Sequence, residues 1–358
     1  MKALIWACTS LLFIGLVTDS WARREALTPE QKSQIEKIQT VLVDVLAISD
    51  KGPMDAEPLR QVVVTRLKEF GYAVTADSNQ PHDVLFRVKC EQHKTWEGTT
   101  NMGSDADLPD SPSRVWKGPA CQLSYVLDGK KMGWRKEVRT EFADAEQAAQ
   151  KDNAGDPAAY AMAKLKERLE DYDFPAFITA EWGQEERLFK LYDDPSTPSA
   201  RKIKLINLFG YLFSTDSVPR LLAALKGPDI EVAKAAALAL GNIGKKETIP
   251  VLIETMQSGP PELKASAAKA LGIAGALHGD FSIIEPLLDN LKTEDVAVKT
   301  EVAWALGKLP DRRAYDPLFS LQKSLYHVRE NDADPKLVKL KEAVNWSIKQ
   351  IDTWEYLQ

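Results

Sequence analysis

The stretch Lys234-Ala235-Ala236-Ala237-Leu238-Ala239-Leu240-Gly241 decides the fold, because its pattern recurs along the second half of the chain. Matching segments end in Asn207-Leu208-Phe209-Gly210, Lys269-Ala270-Leu271-Gly272 and Trp304-Ala305-Leu306-Gly307. The four glycines therefore follow one another at nearly equal intervals along the sequence. A proline recurs with almost the same spacing, at Pro219, Pro250, Pro286 and Pro317. Two markers that advance together indicate a repeat, and this period predicts a solenoid whose units bury their apolar faces against one another.

Each repeat predicts a pair of helices. The first helix begins beside the proline, whose missing N–H would have no partner in a first helical turn. The second helix is rich in alanine, the best helix former. The glycine that follows permits either close packing or a turn near the helix end. The predicted pairs span residues 184–212, 217–244, 247–275, 282–309 and 313–351, the last with an insertion near 331–334.

One repeat carries a family resemblance. The segment that runs from Asp229-Ile230-Glu231-Val232 to Asn242-Ile243-Gly244 resembles the short bacterial HEAT repeat, which is also found in phycobilisome lyases. The resemblance covers roughly residues 184–352 and implies an all-α, right-handed HEAT-type α-solenoid over residues 176–358. Three positions depart from the family pattern: Ala233 replaces a basic residue, Pro261 replaces an aspartate, and Lys349 stands where the last unit would have its glycine.

The composition describes an ordinary globular protein of two domains. The chain has 358 residues, of which 44% are hydrophobic and 27% charged. Its formal net charge is −6, which disfavours a nucleic-acid-binding surface because such surfaces are basic.

Residues 1–22 have the pattern of a signal peptide. Lys2 precedes an apolar run, residues 3–17, that is too short to span a bilayer with ease. Ser20-Trp21-Ala22 then places small residues at the positions a signal peptidase reads, which predicts cleavage after Ala22. Cys8 lacks a convincing lipoprotein motif and would leave with the signal peptide. The pattern predicts a periplasmic or secreted protein with no membrane span after cleavage.

Cys90 and Cys121 are the two cysteines that would remain in that oxidising compartment. Each lies on the apolar face of a predicted strand, so an antiparallel arrangement would let them form a disulfide across the two strands. Such a bond closes a loop of about 30 residues and stabilises by about 3–4 kcal/mol in the loop-entropy model. A metal site that uses Cys90 and His93 and a pair of free thiols are the alternatives.

Around this pair the sequence predicts an α/β domain, residues 28–172. Thr28-Pro29-Glu30-Gln31 is typical of a capping box that opens a helix, and Asp128-Gly129 predicts a tight hairpin turn. The predicted helices are 28–39, 59–70 and 157–169, and the predicted strands are 41–48, 72–75, 84–90, 121–127 and 133–141. We expect residues 98–113 to form a mobile acidic loop and residues 143–156 to form a second surface connection.

No catalytic or phosphate-binding motif is visible in the sequence. The four histidines are scattered among different predicted elements, at His82, His93, His278 and His327. We therefore expect no enzyme activity, no cofactor and no metal site.

The second helices instead offer a binding face. Counted back from each glycine, positions −3, −6, −7 and −10 vary between units, whereas positions −1 and −5 stay apolar. We expect the varied positions to face solvent on the inner, concave side. The predicted protein-binding residues are Glu231, Lys234, Leu238, Lys269, Glu301 and Trp304. Trp304 either anchors a partner or packs against the neighbouring unit or the insertion.

These patterns favour a non-catalytic, exported scaffold that binds an unidentified protein partner through its solenoid. One alternative is an enzyme or cofactor-attachment factor with a site between the two domains. The other is a purely structural component of the cell envelope, in which the solenoid only supports the first domain.

Overall fold

The computed structural model describes residues 27–98, 114–329 and 334–357. The predicted signal peptide, nearly all of the 98–113 loop and most of the insertion near 331–334 lie outside these residues. The chain divides into two compact units, Met1–Phe174 and Pro175–Gln358. None of the described helices is long and apolar enough to cross a membrane.

The described residues of the first unit form a mixed sheet and four helices. The strands are β1 (Thr40–Ser49), β2 (Gly52–Met54), β3 (Ala73–Thr75), β4 (Val84–Gly98), β5 (Arg114–Leu127) and β6 (Lys130–Arg139). The helices are α1 (Pro29–Ile35), α2 (Glu57–Glu69), α3 (Ala145–Lys151) and α4 (Pro157–Asp171). The sheet order is β2-β1-β4-β5-β6, with β3 paired to β1. β1 is parallel to β3 and β4, and the other pairings are antiparallel.

Alternation of apolar residues gives the sheet its buried face. On the two central strands every second residue is buried: Val84, Phe86, Val88, Cys90, Cys121, Leu123, Tyr125 and Leu127. Helices α2 and α4 pack on the sheet and on each other. Phe86 stacks on Phe174 with ring centroids 5.7 Å apart and lies 6.2 Å from the ring of Trp134. The core of the first unit therefore lies between the sheet and these two helices.

A helix start and a hairpin turn in the first unit have the local structures that the sequence predicts. The Thr28 hydroxyl accepts a hydrogen bond from the backbone N–H of Gln31, and the Gln31 side chain accepts one from the N–H of Thr28, which completes the capping box. Asp128 and Gly129 both have positive φ, at 49° and 76°. That conformation matches the twist of the β5–β6 hairpin.

The prediction of a surface connection over residues 143–156 is wrong in part. This segment contains helix α3, which begins where the Asp144 side chain accepts a hydrogen bond from the N–H of Gln147. Ala145 and Ala149 are buried. A helix of seven residues offers too short a pattern to stand out in the sequence.

The described residues of the second unit form helices and short connections, with no strand among them. Its helices are α5 (Phe174–Glu181), whose first residue belongs to the first unit, α6 (Glu185–Asp193), α7 (Ser199–Tyr211), α8 (Val218–Leu225), α9 (Ile230–Ile243), α10 (Ile249–Ser258), α11 (Pro261–His278), α12 (Ile284–Asn290), α13 (Val296–Lys308), α14 (Tyr315–Ser324) and α15 (Pro335–Leu357). Helices α6 to α15 form five consecutive pairs, and α7, α9, α11, α13 and α15 pack in sequence. The chain is thus an α/β domain followed by an all-α solenoid.

The repeated glycines mark where successive units touch. A Cβ added at Gly241 would lie 2.6 Å from the Cα of Ala270, and one at Gly272 would lie 2.7 Å from the Cα of Ala305. Gly210 meets Ala239 in the same way, at 3.0 Å. Each contacted alanine lies two positions before the next glycine. The glycines are therefore required for close packing rather than for a turn, and one geometric relation links the units.

Candidate protein-binding face

The second helix of each pair has a fixed buried side. The residues one and five positions before the glycines are fully buried: Leu240, Leu271, Leu306, Ala236, Ala267 and Val302. The varied positions of α9, α11 and α13 are partly or fully exposed, with the exception of Ala235. We call the surface made by the varied positions of α9, α11 and α13, together with Lys308 and Trp346, the second-helix face.

On α9 the second-helix face carries an ion pair and an apolar side chain. The Nζ of Lys234 donates to Glu231 at 2.9 Å; Glu231 is exposed and Lys234 is partly exposed. Leu238 is partly exposed one turn further along the helix. Ala235, which we expected in solvent, is only 7% exposed. Its methyl group is small enough to be covered by the neighbouring helix, so the exposed stripe is narrower than predicted.

On α11 and α13 the second-helix face carries a cluster of charges. Lys269 is exposed and Glu301 is partly exposed. Lys308, which the sequence analysis did not single out, lies close to both residues. Partial burial and the positive charge of Lys269 lower the pKa of Lys308, against the opposing effect of the Glu301 carboxylate. Neither Lys269 nor Lys308 forms an ion pair with a carboxylate among the described residues.

Trp304 packs against the neighbouring unit. Its ring centroid lies 4.9 Å from that of Trp346 on α15, with a 51° angle between the ring planes. Both rings remain partly exposed. The packing interpretation of Trp304 therefore holds for one side of the ring, while the rest of the indole belongs to the second-helix face.

The contact made by the repeated glycine is different between the last two second helices, α13 and α15. There a Cβ on Gly307 would meet Trp346 and Ser347 rather than an alanine. The Ser347 hydroxyl is buried and donates to the carbonyl of Ala303 at 2.7 Å. Lys349 is exposed at the position that glycines occupy in earlier units. Because a lysine side chain fills that position, this face of α15 lacks the close-packing groove of the other second helices.

An exposed aromatic pair that the sequence patterns did not predict lies at the end of α7. Tyr211 is 67% exposed and Phe213 is 64% exposed. Phe213 has a positive φ of 53°, a conformation that is costly for a bulky residue. Gly244 holds the equivalent position after α9, with φ 64°. Phe213 also lines a cavity of about 390 Å³ beside Glu185, Glu186 and Asp216. Alignment of the two units is the sequence signal that finds this residue.

The predicted disulfide is present in the first unit. Cys90 and Cys121 are directly paired across β4 and β5, with an S–S distance of 2.05 Å. Both are fully buried among the apolar residues of the sheet. The bond excludes the free-thiol alternative and removes Cys90 as a metal ligand beside His93.

Two of the histidines contact backbone groups. The Nδ1 of His82 lies 2.9 Å from the carbonyl oxygen of Gln80, and the Nε2 of His278 lies 2.5 Å from that of Gly244. His93 is the exception, because two carboxylates surround it. His327 is exposed.

Comparison with known proteins identifies the repeat. A family model described as HEAT repeats matches residues 186–272 and 255–333. No curated protein matches the chain. The match spans four of the five helix pairs and most of the second-helix face. Residues 186–333 therefore consist of HEAT repeats.

Proposed function

We propose that this protein is an exported, non-catalytic scaffold that binds a protein partner through its second-helix face. The observation that carries the proposal is the contrast between buried and varied positions on the second helices. The buried positions repeat almost unchanged, whereas the exposed positions differ from unit to unit. HEAT repeats suit protein binding, because stacked units present an extended surface.

The chemistry of the face supports a protein partner. Leu238, Trp304 and Trp346 supply apolar area, and aromatic residues at the centre of an interface often contribute most of its binding energy. Lys269 and Lys308 are cations with no carboxylate partner among the described residues. Charged groups of this kind set the orientation and specificity of a complex more than its affinity. We therefore expect a partner that offers an apolar side chain beside a carboxylate.

Two features support export. Residues 1–22 have the pattern of a signal peptide, with cleavage after Ala22. Cys90 and Cys121 are oxidised, and structural disulfides persist in secreted and periplasmic proteins but are rare in the cytosol. We place the mature protein in the periplasm or outside the cell.

The experiment begins with crosslinking in the exporting cell, followed by purification of the captured partner. Binding of that partner to Lys269→Glu, Glu301→Lys and Trp304→Ala variants is then measured by titration calorimetry. We expect each variant to weaken binding at least tenfold while its circular dichroism spectrum stays unchanged. Lys292→Glu is the matched control, because Lys292 is exposed between α12 and α13, away from the second-helix face, and pairs with Asp289.

Unchanged binding by all three variants would overturn the proposal. Loss of binding in the Lys292 variant alone would move the interface to another surface. If the purified chain binds no captured protein, the structural role of an envelope component becomes the better interpretation.

A further inference from the structure

We propose that Asp50, His93 and Glu146 form a binding site for a divalent transition-metal ion, with Zn²⁺ as the best match. The three residues come from separate elements of the first unit. Asp50 lies in the turn between β1 and β2, His93 lies on β4, and Glu146 lies in the first turn of α3. Their potential ligand atoms all lie within 4.8 Å of one another.

Each ring nitrogen of His93 lies near one carboxylate: Nδ1 is within hydrogen-bond distance of Asp50, and Nε2 lies near Glu146. Nδ1 of His93 lies 2.7 Å from Asp50 Oδ2, and Nε2 lies 3.8 Å from Glu146 Oε2. Zinc holds nitrogen and oxygen ligands at about 2.0–2.2 Å, so neighbouring ligand atoms in a tetrahedral site are about 3.3 Å apart. The three side chains are exposed, so they are free to rotate and bring one ring nitrogen and one oxygen of each carboxylate around the ion.

The charge of the cluster favours a cation. Two carboxylates face one imidazole, and neither Asp50 nor Glu146 forms an ion pair with a lysine or arginine of the described chain. A divalent ion would neutralise both carboxylates while it binds the imidazole.

A buried side chain holds the two carboxylate-bearing segments in place. Gln92 is only 5% exposed. Its Oε1 accepts from the backbone N–H of Asp50 at 3.5 Å, and its Nε2 donates to Glu146 at 3.4 Å. Gln92 continues the buried series of Val88 and Cys90 along β4, whereas His93 is exposed on the opposite face of the strand. The pairing with β5 shifts register between Glu91 and Lys94. Hydrogen bonds that orient ligands in this way are typical of metal sites.

The ligand set selects the class of metal. Imidazole suits zinc and other transition metals, whereas magnesium and calcium prefer oxygen ligands alone. Three protein ligands leave at least one coordination position open. The nearest sulfur ligand, Cys90, is held in the disulfide and cannot take it. The ion would link the β1–β2 turn and α3 to strand β4.

The test is a calorimetric titration of ZnCl₂ into the untagged, full-length protein after treatment with EDTA. We expect one saturable site per chain and a rise in the thermal midpoint with Zn²⁺, because an ion that binds only the folded state stabilises it. His93→Asn, Asp50→Asn and Glu146→Gln should each weaken Zn²⁺ binding more than tenfold. MgCl₂ in the same titration should give no saturable heat.

His82→Asn is the matched control, because His82 is also exposed but contacts only the backbone carbonyl of Gln80 among the described residues. This variant should bind Zn²⁺ as the unaltered protein does. Absence of saturable binding, or binding that survives all three substitutions of the cluster, would overturn the proposal. Equal binding of Mg²⁺ would also contradict it. Melting curves recorded in EDTA establish that each variant is folded.

Discussion

At Gly241 the absence of a side chain lets two repeats approach each other. We predict that Gly241→Ala lowers the free energy of unfolding of the solenoid by about 1–3 kcal/mol, the usual cost of overpacking. The added methyl group would lie 2.6 Å from the Cα of Ala270, and backbone atoms cannot yield as a flexible side chain can. Urea denaturation followed by circular dichroism measures the change.

The sign of this effect separates packing from helix propensity. Alanine is a better helix former than glycine by about 1 kcal/mol, so an effect on the isolated helix would stabilise the protein. Gly155→Ala is the control, because a Cβ there meets nothing within 4 Å. If the Gly241 variant is as stable as the Gly155 variant, the close contact does not limit the packing of the repeats.

Phe213 is expected to make the folded protein less stable than a glycine at the same position would. We predict that Phe213→Gly stabilises the protein by about 0.5–1 kcal/mol, because glycine adopts positive φ without strain. The side chain is 64% exposed, so little buried area is lost. Tyr211→Gly should have the opposite effect, since Tyr211 ends α7. Thermal denaturation of both variants tests the pair, and a destabilised Phe213→Gly protein would contradict the strain argument.

At the scale of the elements, the disulfide between Cys90 and Cys121 joins strands β4 and β5 covalently. We predict that the double variant Cys90→Ala, Cys121→Ala lowers the free energy of unfolding by about 3–4 kcal/mol, because the two cysteines are separated by 31 positions and the bond closes the loop between them. Denaturant titration of the oxidised protein and of the variant gives the difference. A difference below about 1 kcal/mol would mean that the unfolded chain gains little freedom when the link is removed.

Helix α9 begins after its N-cap residue Asp229, whose negative charge is expected to stabilise the folded protein. Hydrogen bonds from the Ser199 hydroxyl and from the backbone N–H of Val232 lower the pKa of Asp229. Since the folded pKa lies below the unfolded one, the charged cap stabilises the protein above about pH 4, and this contribution disappears as the pH falls through the folded pKa.

Asp229→Asn tests this dependence. Asparagine still caps the helix but carries no charge, so the variant should be less stable than the unaltered protein at pH 7. The difference in unfolding free energy should shrink as the pH falls below about 4. Thermal midpoints between pH 7 and pH 2 measure it, and a difference that does not change with pH would rule out the charge as its source.

Elements with strong periodic or turn signals were predictable from the sequence. The alternation in β4 and β5, the capping box at Thr28 and the Asp128-Gly129 turn all act locally. Helix α3 and the short β2 strand carry weak local signals, because their formation depends on packing against the rest of the sheet. The exposure of His93 follows from the alternation along β4. The register shift between Glu91 and Lys94 is a property of strand pairing, and the sequence of one strand does not reveal it.

At the scale of the whole molecule, the repeat period predicted the solenoid because the glycines of three successive units, Gly210, Gly241 and Gly272, each pack against an alanine of the next unit. The same repeat located the second-helix face. Packing of Trp304 against the neighbouring unit was one of the two interpretations, but the repeat did not reveal that Trp346 is its partner or where Lys308 lies, since both depend on how the last two units meet. The Asp50–His93–Glu146 cluster was missed because its members are far apart in sequence and join only through the fold of the first unit.

Each of the two units has its own buried core, so we predict that a local defect stays within its unit. Hydrogen–deuterium exchange read by mass spectrometry tests this prediction. The double cysteine variant should speed exchange in peptides of Met1–Phe174, and Gly241→Ala should speed it in peptides of Pro175–Gln358. Within the solenoid the increase should extend from Gly241 to the neighbouring units, because each second helix buries its apolar side against the next. Faster exchange across both units from either substitution alone would show that the chain unfolds as one cooperative body.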